Sequence, residues 1–595
     1  MTSGLRSDRS RFRISQIAEW LSGPLRANRP AYLKIALAAV FINLFALATS
    51  LFTMTVYDRV LPNNATESLI ALSIGLAIVI GFDFALKLLR GYFTDFAGAR
   101  IDRDVGEEMF DQLVTMRLDR RRGPTGVLAG IMRELEALRD FFASATIIAI
   151  VDVPFILLIL AVIALIGGPV VFVPLAMVPL VAIAGWWTYP AMDRLGANSL
   201  EQGLHKQAVL VETIGALETV KASGAARLLG ERWRKAVVSH AAVSLRHRLT
   251  GMIALTFAQS AQMISYAGVV VVGVGLIAER ELSLGGLIAC SILAGRAVAP
   301  LTQIASLLSK ISTTRSAYDR IDAVMQTERE TVSGEPLAPA TLRGDIEFDR
   351  VSFRYPDTET RALSDVSFRI KPGEKVAIIG RVGSGKSTVA RLILGLYPPD
   401  EGNVMIDQID VRQFDKPALR SMVGAALQES VLFSGTVREN ILTGREDLTD
   451  DHLLRAAELS GTHAFISRLT NGYDRRLVDR GESLSGGQRQ SIALARALAG
   501  DPRILVLDEP SSQMDNETES AVIDAIAENM AGHTLLVITH RTPFLRIVDR
   551  VIAMDRGRVL ADGPRDEVLA RLRSGPGERA GQGRSNLVTT RVARP

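Results

Sequence analysis

Two glycine-rich stretches and one pair of adjacent carboxylates carry the chemistry open to this sequence. The first stretch is GRVGSGKST, Gly380 to Thr388, set between an apolar run and a helical pattern. Glycines there let backbone N–H groups turn inward around phosphate oxygens. Lys386 adds a point charge for the β- and γ-phosphates, and the Ser387 hydroxyl can ligate Mg²⁺. The cradle is expected to consist of Gly380, Arg381, Val382, Gly383, Ser384, Gly385, Lys386, Ser387 and Thr388. The second stretch is LSGGQ, in which Ser485, Gly486, Gly487 and Gln488 open another helical pattern and form a second anion-binding surface.

The carboxylates follow in ILVLDEP. Asp508 ends a buried strand and is placed to hold the Mg²⁺ shell, together with Ser387 and Gln428. Glu509 is the group expected to polarise an attacking water. LLVITH ends at His540, whose imidazole is expected to contact a γ-phosphate and fix that water. Tyr355, just before a proline at a strand end, offers a ring on which a flat adenine can stack. Each residue alone has a plainer reading. A loop glutamine is usually a solvated side chain, and a strand-end acid is often only a cap. The order and spacing of the whole set favour nucleotide hydrolysis. The two glycine-rich surfaces lie about 100 residues apart and need not serve one nucleotide within one chain. A head-to-tail dimer would let each face the other chain's phosphates.

The elements that position these groups belong to an α/β domain expected over 344–575, with alternating strands DIEFDRVSFRYP and SDVSFRI at its start. It is preceded by a polar, Pro- and Gly-containing linker, 327–343, and followed by a small, basic tail, 576–595, read as disordered.

The first half differs in kind. Of 595 residues, 48% are hydrophobic, and the long apolar runs gather in 31–326. Six stretches are long enough to cross a bilayer: 32–58, 67–93, 140–166, 169–190, 250–278 and 284–309. The first reads as a retained signal anchor. The intervening segments 94–139 and 191–249 are rich in Arg and Lys, which places them and both chain ends in the cytoplasm. They read as helical extensions of the spans, with tips that can dock on a soluble domain. Residues 1–30 are basic, and Ile14, Ile17, Trp20, Leu21 and Leu25 recur at helical spacing, as in an amphipathic helix on the inner membrane surface. Asp83, Asp152 and Arg296 fall at similar depth. Two pairings are open: Arg296 with either aspartate, or Asp83 with Lys87 one turn on. Pro300 is a candidate kink. The single cysteine, Cys290, excludes an intrachain disulfide and reads as a buried, inert thiol. A net charge of only +4 gives nucleic acid no footprint.

Taken together, Tyr355, the loop 380–388, Gln428, LSGGQ, ILVLDE, SSQMD (511–515) and His540 resemble the nucleotide-binding domain of ABC transporters. Six spans ahead of one such domain resemble an ABC exporter half-transporter. The implied fold is an α-helical six-span membrane domain joined to an α/β P-loop ATPase domain. The resemblance implies a homodimer holding two ATP molecules with Mg²⁺, each between a phosphate loop and the opposing signature. VYDRVLPNNATESL (56–69), LRDFFASATIIAIVDVPF (138–155) and AGRAVAPLTQ (294–303) are similar to type I secretion transporters. That similarity implies export of an unfolded protein across the bacterial inner membrane. The partners implied are a periplasmic membrane-fusion adaptor and a TolC-like outer-membrane channel. Export of a lipid, peptide or small amphipathic molecule is the alternative. Many such transporters carry a peptidase-like domain before the first span, and only about thirty residues precede it here. Within the motifs, Asp479 stands where glutamate is common, and SSQMD replaces the commoner SALD.

Overall fold

The structure, a computed structural model, describes residues 18–121, 125–141, 146–330, 334–356, 358–429, 431–445 and 447–573. Ile14, Ile17 and the tail 576–595 therefore lie outside the described residues. The chain divides into two compact units. One comprises Met1–Thr115 with Arg122–Thr327, the other Met116–Arg121 with Glu328–Pro595.

The first unit is helical. Its helices are α1 (Glu19–Ala27), α2 (Arg29–Thr55), α3 (Thr66–Thr115), α4 (Thr125–Asp140), α5 (Thr146–Gly167), α6 (Phe172–Gly215), α7 (Leu217–Ala222), α8 (Ala226–Ala278) and α9 (Leu284–Met325). Among the described residues, five helical stretches are long and apolar enough to cross a membrane, with Val151–Gly215 counted as one. A 3₁₀ turn, Gly168–Val171, divides that stretch, and Gly168 takes φ +52° there, where a side chain would be strained. The six expected crossings thus correspond to α2, α3, α5, α6, α8 and α9. Helices α3, α6, α8 and α9 continue far beyond their apolar portions, as the charged extensions required. Helix α9 runs through Pro300 as one assigned helix.

Of the two pairings left open for the charges inside this unit, the local one is formed and the one through Arg296 is not. Asp83 pairs with Lys87 at 2.7 Å. Asp152 is buried and accepts a 2.7 Å hydrogen bond from Asn43 Nδ2. Among the described residues no ion pair joins Arg296 to either aspartate, so the direct Asp–Arg pairing is not formed. A neutral amide already meets the buried carboxylate, which lowers the need for a cation. Asp58, in a π-helical turn at Val56–Val60, accepts from Ser283 Oγ (2.6 Å) and Gly285 N (2.8 Å) and so caps the start of α9. Trp20 and Leu21 are not turned to a membrane surface. Trp20 stacks on Tyr318 with ring centroids 5.5 Å apart and donates to Asp322 at 2.9 Å, and both residues are buried. Cys290 is fully buried, as expected.

The second unit contains a four-stranded antiparallel sheet, order β2-β1-β4-β5, formed by β1 (Ile346–Phe353), β2 (Leu363–Ile370), β4 (Glu401–Ile406) and β5 (Ile409–Asp410). It also contains a two-stranded ladder of β7 (Gly435–Thr436) with β8 (Arg476–Leu477) and a six-stranded sheet, order β12-β11-β3-β10-β9-β6. The six-stranded sheet uses β3 (Lys375–Gly380), β6 (Val423–Ala426), β9 (Ile504–Asp508), β10 (Thr534–Ile538), β11 (Arg550–Asp555) and β12 (Arg558–Pro564). Its strands β11, β3, β10, β9 and β6 are parallel, and every residue of β9 and β10 is buried. A continuous apolar run is what a parallel strand covered on both faces requires.

The segment read as a linker is docked on this unit. Glu330 pairs with Arg420 at 2.8 Å, Leu337 bridges to Phe414, and Glu328 pairs with Arg117 at 3.0 Å. Met116–Arg121, a tip of one basic segment, belongs to the same unit through a β-bridge from Met116 to Arg329.

Candidate active site

Three neighbouring parallel strands, β3, β10 and β9, end together. Ile538 lies in register with both Ile378 and Asp508, so Gly380, Glu509 and His540 all follow the same edge of the sheet. Loops at the carboxyl ends of parallel strands are where open α/β sheets bind ligands.

The phosphate loop joins β3 to α10 (Lys386–Ile393). Gly385 has φ +94°, and a Cβ there would stand 2.5 Å from the Ala362 carbonyl oxygen, so only glycine fits the turn. Val382 at the tip is fully exposed. Lys386 is buried, and its Nζ donates to the carbonyls of Gly380 and Arg381, each at 2.9 Å. The loop therefore holds its own cation at its mouth. Burial pulls the Lys386 pKa below the ordinary lysine value, and the nearby Glu509 and Asp508 charges oppose that shift.

Asp508 is 2% exposed. Burial raises its pKa, and a hydrogen bond from Ser387 acts the other way. Its Oδ1 is buried without a hydrogen-bond partner. An orphaned carboxylate oxygen beside a hydroxyl is a hard-oxygen donor set, and it fits Mg²⁺ rather than a soft metal. Among the described residues no cluster of three or more His, Cys, Asp or Glu side chains could hold a metal alone. A cation here would thus depend on phosphate and water oxygens as well. Gln428 lies exposed just past β6, and no hydrogen bond among the described residues joins it to Ser387 or Asp508.

Glu509 occupies the left-handed region, φ +50°, and its N–H donates to the Ile538 carbonyl at 2.8 Å. Its carboxylate accepts a 2.9 Å hydrogen bond from His540 Nδ1. His540 was expected at a phosphate and a water; the contact in place is with the carboxylate itself. An ionised carboxylate can only accept, so Nδ1 carries the proton.

Tyr355 is half-buried in an aromatic cluster with Phe353 and Tyr397. Its hydroxyl bonds Thr388 Oγ1 at 3.1 Å and accepts from Arg391 at 2.8 Å. The expected adenine platform is thereby tied to the helix that carries the phosphate loop.

LSGGQ opens α11 (Gly486–Leu498). Ser485 Oγ accepts from Gln488 N at 3.3 Å, while Gln488 Oε1 accepts from Ser485 N at 2.9 Å. That reciprocal pair is a capping box. Gly486 and Gly487 lie against Gln513, where a Cβ would approach Gln513 Oε1 to 2.2 Å and the Gln513 carbonyl to 2.8 Å. Among the described residues no hydrogen bond links this turn to residues 380–388. Motif reading missed three supporting residues: Arg391 on Tyr355, Arg541 on the Ser511 carbonyl (2.6 Å), and Gln490. None of the three stood out in the sequence, and Gln490 lies within the polar run Gln488–Ser491.

Comparison with known proteins covers both units. Residues 363–512 match the family described as ABC transporter, and residues 32–300 match ABC transporter transmembrane region. The chain is 33% identical over 554 residues to the cyclolysin secretion/processing ATP-binding protein CyaB of Bordetella pertussis, covering 93% of this chain and 77% of that protein. It is 32% identical over 557 residues to the toxin RTX-I translocation ATP-binding protein of Actinobacillus pleuropneumoniae, covering 93% of this chain and 78% of the relative. Among solved structures, a bacterial Atm1-family ABC exporter with ATP bound superposes with a TM-score of 0.81 at 23% identity, covering 92% of this chain and 97% of the other. That likeness speaks to the fold.

Proposed function

The chain belongs to the ABC transporter family, and from that membership we propose that it drives export of an unfolded protein across the bacterial inner membrane by ATP hydrolysis, as the ABC component of a type I secretion system. The observation that carries the reading is the match along both units to relatives named for toxin secretion and translocation. The ATPase unit and both chain ends face the cytoplasm, in keeping with the Arg- and Lys-rich segments 94–139 and 191–249. Two copies work together, with a periplasmic adaptor and an outer-membrane channel completing the path.

Each ATP lies between residues 380–388 of one chain and Ser485, Gly486, Gly487 and Gln488 of its partner. Tyr355 supplies the adenine platform. Ser387, Asp508 and Gln428 would hold Mg²⁺. When bound, Mg²⁺ neutralises charge on the transferred phosphoryl oxygens. Lys386 leaves the Gly380 and Arg381 carbonyls for phosphate oxygens, a better partner for a partly desolvated ammonium. Glu509 takes the proton of the attacking water, and His540 holds its carboxylate in place.

The test is genetic. A strain lacking this chain should lose one or more large secreted or surface proteins, and wild-type chain but not Glu509→Gln should restore them. An unchanged set of exported proteins would reject the reading.

A further inference from the structure

Gln490 stands in the second turn of α11, four residues after the glycines of LSGGQ begin, and is 7% exposed. Its side-chain amide is fully engaged. Nε2 donates to the backbone carbonyl of Glu509 at 2.7 Å and to Ser512 Oγ at 3.2 Å, and Oε1 accepts from Gln513 N at 2.9 Å. One side chain of the signature helix therefore grips the turn that carries the base at three points.

That turn needs holding. Glu509 has φ +50°, where a side chain crowds its own backbone. Such a conformation persists only when its surroundings over-determine it. On its amino side, Glu509 N is fixed by pairing to Ile538. On its carboxyl side, the carbonyl accepts a long 3.3 Å bond from Ser512 N and the much shorter one from Gln490. The same glutamine holds Gln513, whose side chain lies over Gly486.

We propose that Gln490 is a positioning residue for Glu509. It fixes the backbone that aims the carboxylate, and it makes that aim depend on the helix whose first turn forms the signature. The inference rests on the two-chain reading above. If the signature meets a partner's nucleotide, a small rotation of α11 on engagement reaches the base through this one amide. Hydrolysis at one nucleotide is thereby made conditional on the other being seated. The binding of ATP in the phosphate loop does not pass through Gln490, so affinity and turnover should separate.

The experiment uses the full chain, purified in detergent, with steady-state ATP hydrolysis and thermal unfolding measured on the same preparations. Gln490→Met keeps the length and fills the space but can neither donate nor accept. Gln490→Glu keeps the acceptor for Gln513 N and loses the donation to Glu509. Both should lower kcat roughly tenfold to a hundredfold, the scale expected for a misaimed group. KM for ATP should stay within about twofold, and the unfolding midpoint within about 3 °C. A merely structural role would lower the midpoint and the active fraction while leaving turnover per active site intact. A folded Gln490→Met protein, or a folded Gln490→Glu protein should Gln490→Met not fold, that turns over at the wild-type rate overturns the proposal. Gly486→Asp is the companion variant. If it hydrolyses ATP normally, the two-chain reading fails. If it is inactive while Gln490→Met is normal, only the role of Gln490 fails.

Discussion

The two glycine-rich helix starts of the second unit look alike in sequence and differ in what they already hold. At 380–388 the loop brings its own cation: Lys386 is buried, with Nζ on the loop's carbonyls, and Asp508 with an unpartnered oxygen stands beside Ser387. At 485–488 the helix start is closed on itself by the Ser485–Gln488 capping box, has no lysine, and carries an exposed serine before its two glycines. The first is a nearly complete phosphate site. The second is half of one: a helix N-terminus with backbone N–H groups and a partial positive charge, suited to touch an anion held elsewhere. On the proposed two-chain reading, that difference is the reason one chain would need a second, although each chain carries both motifs.

Substitutions can break that contrast or sharpen it. The largest effect belongs to Glu509, the proposed base. Glu509→Gln should cut hydrolysis roughly 10²- to 10⁴-fold while ATP still binds, as phosphate release and equilibrium nucleotide binding would register. Lys386→Ala should act on binding as well. Loss of a charged hydrogen-bond donor should weaken ATP binding roughly 10- to 100-fold. Gly486→Asp should leave ATP affinity for the phosphate loop within about threefold yet lower hydrolysis about tenfold or more, because a carboxylate would face the partner's phosphates. A loss of binding equal to that of Lys386→Ala would erase the distinction between the two helix starts. Ser485→Ala is the mildest. Removing the cap should cost about 1 kcal/mol, seen as a small fall in thermal stability without nucleotide.

How much of this was legible beforehand depended on whether a group is placed by a loop or by a helix. Strand-end loops have fixed addresses. β3, β9 and β10 lie side by side and end at one edge, so motif order alone put Gly380, Asp508, Glu509 and His540 together. The helical half gave up its crossings and offered the local Asp83–Lys87 pair, but not its long-range contacts. Asp152 meets Asn43, more than a hundred residues away in sequence, because helix rotation and not depth selects the neighbour. Depth was all that the sequence supplied for Arg296. Trp20 illustrates the same limit. Its helical spacing was visible, but the ring packs on Tyr318 and not on a lipid surface, and spacing cannot say which apolar partner a stripe will find. Within the active site, Gln490 was overlooked because it sits in the polar run Gln488–Ser491, where nothing in the sequence sets it apart. Its meaning is set by the Glu509 carbonyl, which lies across a turn.

The central claim is that nucleotide is held across a seam between two chains, and cross-linking tests it most directly. One preparation would carry Val382→Cys at the exposed tip of the phosphate loop, the other Ser485→Cys at the exposed signature serine, and the native thiol Cys290 is buried. Mixed and oxidised with ATP and Mg²⁺, the two should give a reducible species of twice the 64.5 kDa chain mass, and much less of it without nucleotide. If no such species forms, and a chain bearing both cysteines instead closes a disulfide within itself, the seam does not exist and the account is wrong.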